Sequence, residues 1–191
     1  MAVFICFKGG CECVLIGTEE IRMFEKGEYI VCNNIGVCLV EDVTEKNING
    51  IEQEKLYYIL QPVNSLDSKI YSAVDNKKMA MRRIISKEKV SDLMKKLSDL
   101  ETLSIDNEKN REEVYKQTLH KGECMGWAQI IKTVYCRKKE KAEQGKKITT
   151  TDTKYLKMAE DYLYHELAVS MNVKPIEVKE RILNEIGMES V

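Results

Sequence analysis

The stretch that decides the fold covers residues 23–60 and reads MFEKGEYIVCNNIGVCLVEDVTEKNINGIEQEKLYYIL. Its apolar residues come in short alternating runs, which are separated by turns at residues 33–36 and at Asn49-Gly50. Asparagine and glycine both tolerate the positive φ that a tight hairpin requires. The pattern therefore predicts a small, strongly bent antiparallel sheet. We place its strands at about 28–32, 36–44, 54–63, 68–74 and 80–84.

The second half of the chain is predicted to be helical. We expect Ser86 to cap a first helix, followed by a polar interdomain linker over residues 98–110. Two helices should then cover about 109–121 and 123–144, each stopped by a glycine. Thr149-Thr150-Thr151-Asp152 approximates a capping box and starts the next helix. A last helix should run from Pro175 to near Gly187, since proline suits the first turn of a helix.

The charge of the chain is uneven. The net charge of -1 argues against a protein that coats nucleic acid indiscriminately. Residues 132–157 nevertheless carry nine basic and three acidic side chains, a surplus of six positive charges over two predicted helices. This segment is a candidate phosphate-binding face, although a solvated helix surface gives the same pattern.

The seven cysteines support neither a zinc site nor a disulfide framework. Their number is odd, their spacing is irregular, and no CxxC pair occurs. We expect buried free thiols on strands and helices, and hence a reducing, cytoplasmic compartment. No metal or other cofactor is expected, and no apolar run approaches the roughly 20 residues that a membrane helix needs.

We do not expect an enzyme. No glycine-rich phosphate loop follows a predicted strand, and the charged residues fall mostly at solvent-facing helical positions. The pair His165-Glu166 is interpreted as a helix-surface pair and not as a catalytic dyad.

Residues 1–22 are interpreted as an extension outside the fold. Glu19-Glu20 can be encoded as GAG-GAG shortly before the codon of Met23, which would be a ribosome-binding site ahead of the natural start. The alternative is a genuine extra strand, because residues 3–7 and 14–16 are apolar enough to pair.

Short motifs in both halves of the chain occur in the same order as in the CarD/CdnL family of bacterial transcription regulators, and the chain resembles that family over residues 23–187. The motifs of the first half are Phe24-Glu25-Lys26-Gly27-Glu28, Gly36, Ile48-Asn49-Gly50, Tyr57-Tyr58-Ile59-Leu60 and Arg83-Ile84-Ile85-Ser86. Those of the second half are Tyr115-Lys116, Lys121-Gly122-Glu123, Gly145-Lys146-Lys147-Ile148-Thr149 and Glu166-Leu167-Ala168. Each match is weak alone, but their shared order is specific.

The resemblance implies an α+β protein. It would comprise a small Tudor-like antiparallel β-barrel at residues 23–85, a connecting helix and linker at 86–108, and a helical DNA-binding domain at 109–191. The implied function is a monomeric transcription regulator that binds the β subunit of RNA polymerase and promoter DNA near the upstream edge of the bubble. Two other functions stay open: a protein-interaction module that binds no DNA, and a small barrel that associates with RNA or the ribosome.

The resemblance assigns residues to the polymerase, and the placement of basic residues gives the candidates for DNA. Lys46, Ile48 and Tyr71 match the positions that dock on the polymerase. The candidates for largely sequence-independent contacts with DNA phosphates are Arg111, Arg137, Lys138, Lys146, Lys147 and Lys154. Lys146 and Lys147 are best placed, because the helix that follows them adds backbone donors for a phosphate.

One feature of the family does not match. Members carry a tryptophan wedge before the first helix of the DNA-binding domain, and the corresponding place falls near Glu108. Residues 104–110 contain no aromatic residue. Trp127, the single tryptophan of the chain, is in phase with Ile131 and Val134 on a predicted helix, and this spacing favours a core position.

Overall fold

The structure is a computed structural model that describes residues 13–15, 20–22, 24–46, 55–65, 67–105 and 107–188. Its strands are β1 (Cys13–Leu15), β2 (Glu20–Arg22), β3 (Tyr29–Cys32), β4 (Gly36–Lys46), β5 (Lys55–Pro62), β6 (Ile70–Ala73) and β7 (Met81–Arg83). Its helices are α1 (Lys87–Leu97), α2 (Arg111–His120), α3 (Cys124–Glu143), α4 (Thr150–Met171) and α5 (Pro175–Glu185), with a 3-10 turn at Glu108–Asn110. The α+β prediction is confirmed: an antiparallel five-stranded sheet precedes the helices.

The five-stranded sheet has the order β6-β5-β4-β3-β7, so that β6 and β7 form its edges. The register between β4 and β5 shifts between Val40 and Asp42. Such a bulge bends a strand, as the predicted curvature of the sheet requires. The Asn49-Gly50 hairpin between β4 and β5 lies outside the described residues.

The two faces of β3 and β4 pack into two different cores, because side chains alternate along a strand. Ile30 and Cys38 face a small core inside the sheet, where the Tyr58 hydroxyl accepts a hydrogen bond from the backbone N–H of Phe24. Val31 and Val37 point the other way and join the core of the helices. The outer face of β3 and β4 thus belongs to the core of the helices, while the inner face lines a second, smaller core.

The first two strands do not belong to the five-stranded sheet. β1 and β2 form a separate two-stranded antiparallel sheet in which Val14 pairs with Ile21. The expected alternative partner of Val14, the segment 3–7, lies outside the described residues.

The helical half has the predicted helices. Tyr155, Ala159, Tyr162, Leu163 and Leu167 all face the core from α4, as their spacing requires. Thr149 and Asp152 form the predicted capping box. One detail of the prediction is wrong: Ser86 occupies the N-cap of α1, but its side chain makes no capping hydrogen bond.

The segment before α2 is irregular, as its polar sequence indicates, but it lies on the helices. Leu100 is buried in the helical core, and the Leu103 backbone N–H donates to Thr133 Oγ1 on α3 at 2.8 Å. The burial of Leu100 and the hydrogen bond from Leu103 thus hold the segment against the helices.

Candidate functional site

Two of the three residues expected to face the polymerase lie on strands of the sheet. Tyr71 lies on the edge strand β6 opposite Ile59 of β5, and it is 47% exposed. Lys46 is the last residue of β4 and pairs with Lys55. Ile48 lies outside the described residues.

An ion pair between a partly exposed arginine and a buried carboxylate joins the sheet to the helices. Arg82 of the edge strand β7 donates from Nη1 to Glu166 Oε1 at 2.6 Å and from Nη2 to Glu166 Oε2 at 2.8 Å. Glu166, on α4, is fully buried, and its Oε1 also accepts the Ile85 backbone N–H at 2.8 Å. The carbonyl of Gly122, between α2 and α3, accepts from Arg82 Nε at 2.8 Å. We call this set of Arg82, Glu166 and Gly122 the interdomain joint.

The pKa of Arg82 and that of the neighbouring Cys124 thiol are both raised at the joint. Burial lowers the pKa of Arg82, but hydrogen bonding and charge from Glu166 more than offset this, so the pKa lies above its usual value. Burial, with the charge of Glu166 added, raises the pKa of the Cys124 thiol. The protonated thiol can therefore donate to Glu166 Oε2, which lies 3.3 Å from Sγ.

Trp127 lies directly beneath the joint. It is 1% exposed, its Nε1 donates to the Leu119 carbonyl at 3.2 Å, and its ring meets Tyr162 edge to face with centroids 5.5 Å apart. The Arg82 guanidinium lies 5.6 Å from the centre of the indole ring. The predicted core position of Trp127 is confirmed.

Two close approaches accompany the joint. Gly36, at the start of β4, has φ +94°, and a Cβ there would lie 2.6 Å from the Tyr162 ring. The Asn33 amide donates to the His120 carbonyl at 2.8 Å. Glycine at position 36 therefore serves both the turn and the contact between sheet and α4.

The interpretation of His165-Glu166 as a helix-surface pair is wrong for Glu166, which is buried in the joint. His165 is turned away: its Nδ1 lies 2.7 Å from the Asp161 carbonyl, and it borders a surface cavity of about 240 Å³ beside Ile176. The two side chains thus lie in different surroundings and form no dyad.

The six predicted DNA contacts fall into two groups. Lys146, Lys147 and Lys154 are exposed, and Lys138 is half-buried with its Nζ 5.9 Å from the Tyr135 ring centre. Lys154 approaches Glu112 at 3.8 Å. The second group, Arg111 and Arg137, is engaged within the protein and is called the arginine pair below.

The arginine pair is held between two carboxylates. Arg137 donates from Nη1 and Nη2 to the two oxygens of Glu108 at 2.8 and 2.9 Å, and Arg111 also donates to Glu108. On the inner side, Asp152 Oδ1 lies 3.1 Å from Arg111 Nε and 3.6 Å from Arg137 Nε. Asp152 is the buried carboxylate of the capping box.

The contacts of the arginine pair extend to the start of α4, where three of the candidate lysines also lie. Arg111 Nη2 donates to Thr149 Oγ1 at 3.0 Å, and Thr149 is the N-cap of α4. Lys146 and Lys147 directly precede this cap, and Lys154 lies in the second turn of the same helix. Most of the candidate cations therefore surround the N-terminal ends of α2 and α4.

Sequence reasoning missed the joint, although a signal existed. Glu166 and Gly122 each belong to a matched family motif, and Arg82 directly precedes a third. Their convergence was not foreseen, because no periodicity relates residues of a strand, a turn and a distant helix.

The described residues contain no candidate metal cluster and no candidate membrane-spanning helix. Among them no group of three or more histidine, cysteine or acidic residues could hold a metal ion. None of the helices found in these ranges combines the length and apolar character needed to cross a membrane.

Two family models match the chain. The CarD-like/TRCF RID domain matches residues 24–85, and the CarD, C-terminal domain matches residues 89–183. The chain therefore belongs to the CarD/CdnL family. The domains of this family are regulatory and interaction domains and not enzymes, and the family is associated with RNA polymerase interaction. No curated protein matches the chain at a significant level.

Proposed function

We propose that this protein is a bacterial, cytoplasmic transcription regulator, acting as a monomer, that binds the β subunit of RNA polymerase through its sheet. Its helical domain binds promoter DNA near the upstream edge of the bubble. The observation that carries the proposal is that both family domains occur in order and are packed together. Val31 and Val37 of the sheet belong to the core of the helices, and Arg82 of the sheet pairs with the buried Glu166 of α4. A rigid connection of this kind suits a protein that must span two partners at a fixed distance.

The proposed polymerase surface is the edge of the sheet at β6 together with the β4–β5 hairpin. An edge strand offers backbone groups to a partner strand, and neighbouring side chains then give specificity. Tyr71 supplies an aromatic anchor at that edge, with nearly half of its surface accessible. Lysine is a weaker bidentate partner for a carboxylate than arginine, so we expect Lys46 to contribute less than Ile48 and Tyr71.

The proposed DNA surface is the basic region around the N-terminal ends of α2 and α4. Exposed lysines such as Lys146 and Lys147 suit phosphate contacts, whose affinity comes largely from the release of counterions. The backbone N–H groups at a helix start favour an anion in the same place. The candidates are lysine and arginine, which position DNA through its phosphates, and the proposed binding is therefore largely independent of sequence.

The polymerase half of the proposal is tested by co-purification of the tagged full-length protein with core RNA polymerase. Ile48→Glu should abolish recovery of the polymerase, because a charge on the hairpin cannot be desolvated in the interface. Ile176→Glu is the matched control, since it makes the same change at an isoleucine of α5 that is 56% exposed and outside the proposed surface. Unchanged recovery with Ile48→Glu, or equal loss with both variants, would contradict the proposed surface.

A further inference from the structure

The arginine pair is covered on its outer side by one exposed carboxylate. The side chain of Glu108 is 64% exposed, whereas the side chains of Arg111 and Arg137 are only 10% and 18% exposed. Glu108 belongs to the three-residue 3-10 turn between an irregular segment and α2. The two guanidinium groups are thus fixed in the protein, while the carboxylate that covers them lies at the surface.

The charges beneath this cover do not balance without it. Asp152 is the inner counter-charge of both arginines, and the Nε atoms of both are buried and make no hydrogen bond among the described residues. Two arginines facing one buried aspartate leave one positive charge over, which Glu108 neutralises. The Arg137 guanidinium holds the pKa of Glu108 below its usual range, so that the carboxylate is charged at neutral pH.

We propose that Glu108 is a displaceable cover on a phosphate-binding site formed by Arg111 and Arg137, and that a backbone phosphate of DNA takes its place. A phosphate presents two oxygens to a guanidinium fork in the same way as a carboxylate, so it can accept the bonds that Glu108 accepts now. This inference rests on the proposed function, because it assigns DNA as the ligand. It adds that the protein limits its own affinity for DNA.

Exchange is feasible because the Glu108 carboxylate, 64% exposed, is reached by solvent in its pair with Arg137. Exposed ion pairs contribute little net stability. An incoming phosphate of DNA brings a further gain, since its condensed counterions are released when the arginine neutralises it. The buried Asp152 stays in place during the exchange and keeps the two arginines oriented.

The cover has a measurable consequence for the salt dependence of binding. When a phosphate displaces Glu108 in the parent, the freed carboxylate keeps one negative charge beside the DNA, and Glu108→Gln lacks this charge. The slope of log affinity against log salt should therefore be steeper in the variant, by up to about one. At low salt the affinity of Glu108→Gln for DNA should exceed that of the parent by about five- to tenfold.

The experiment is a fluorescence anisotropy titration of a labelled forked promoter duplex with the full-length protein, repeated over a series of salt concentrations. The matched control is Glu113→Gln, which removes the same charge from α2 at a carboxylate bonded to the Gln117 amide at 3.0 Å and not to an arginine. In a double variant, Glu108→Gln with Arg137→Gln, the gain should be lost. Melting curves of all variants accompany the titrations.

Tighter and more salt-dependent binding by Glu108→Gln than by Glu113→Gln, reversed in the double variant, is the expected result. If the parent binds DNA and the two single variants bind it equally, Glu108 is not a cover on a phosphate site. The proposed function would not be affected by this result. Binding by neither the parent nor any variant would overturn both. A large fall in the melting temperature of Glu108→Gln would show that Glu108 mainly stabilises the fold. This result would also contradict the proposal that Glu108 is a displaceable cover.

Discussion

Within the described parts of the chain, two clusters contain a carboxylate that receives both arms of an arginine, and the two carboxylates differ in burial. At the interdomain joint Glu166 is fully buried and has a backbone and a thiol partner besides Arg82. At the arginine pair the outer carboxylate, Glu108, is largely exposed. The same chemistry can thus fix a fold at one place and leave an exchangeable contact at another, depending on how much water reaches the carboxylate.

The largest expected effect concerns the aromatic ring beneath the joint. Trp127→Ala should lower the free energy of unfolding by about 3–5 kcal/mol, because it leaves a cavity against Tyr162 and removes the ring below Arg82. The melting temperature should fall by about 10 °C at this chain length. Ile176→Ala, at an exposed isoleucine, should change stability by less than about 0.5 kcal/mol. A tryptophan variant that melts like the parent would contradict the core position.

The next effect compares the two clusters directly. Arg82→Met should cost about 3 kcal/mol or more, since it leaves Glu166 buried without its counter-charge. Arg137→Met should cost about 1 kcal/mol, because Asp152 keeps Arg111 and Glu108 is solvated. Denaturant unfolding of both variants measures the difference. Equal losses would remove the distinction between the joint and the arginine pair.

A smaller effect tests the close approach of sheet and helix. Gly36→Ala combines a positive φ with a Cβ that would lie 2.6 Å from the Tyr162 ring, whereas Gly27→Ala has nearly the same φ, +88°, in open space. Gly36→Ala should therefore be less stable than Gly27→Ala by about 1–3 kcal/mol, the usual cost of overpacking. Thermal melts of the two variants decide this, and similar melting points would mean that the ring moves aside at no cost.

The smallest effect on stability belongs to the exposed lysines. The double change of Lys146 and Lys147 to Glu should alter the free energy of unfolding by less than about 0.5 kcal/mol per site. It should weaken binding to every DNA sequence by a similar factor and flatten the salt dependence. Anisotropy titrations with several unrelated forked duplexes measure this, and a loss confined to one sequence would speak against phosphate contacts.

The fold could be predicted closely from local patterns. The strands follow from period-two alternation with Asn/Gly turns, and the helix starts follow from Thr149 with Asp152 and from Pro175. The core position of Trp127 follows from helical spacing alone. Ser86 shows the limit of such reasoning: the residue type marked the N-cap, but the side chain makes no capping bond.

The long-range pairs could not be predicted in this way. Arg82 and Glu166 are 84 residues apart, and Glu166 occupies a helix position that looked solvent-facing only because it is charged. Arg111 and Arg137 are predicted to contact DNA because they are cations, but their carboxylate partners lie on other elements. Charge along a sequence says nothing about which opposite charge the fold brings beside it.

A hydroxyl-radical footprint of the promoter in the polymerase complex shows whether this protein joins RNA polymerase to promoter DNA, as we propose. With the protein present, additional protection should occur at the upstream edge of the bubble, and it should weaken when Lys146 and Lys147 are both changed to Glu. A footprint identical to that of the polymerase alone, while the protein is bound to the polymerase, would contradict the claim.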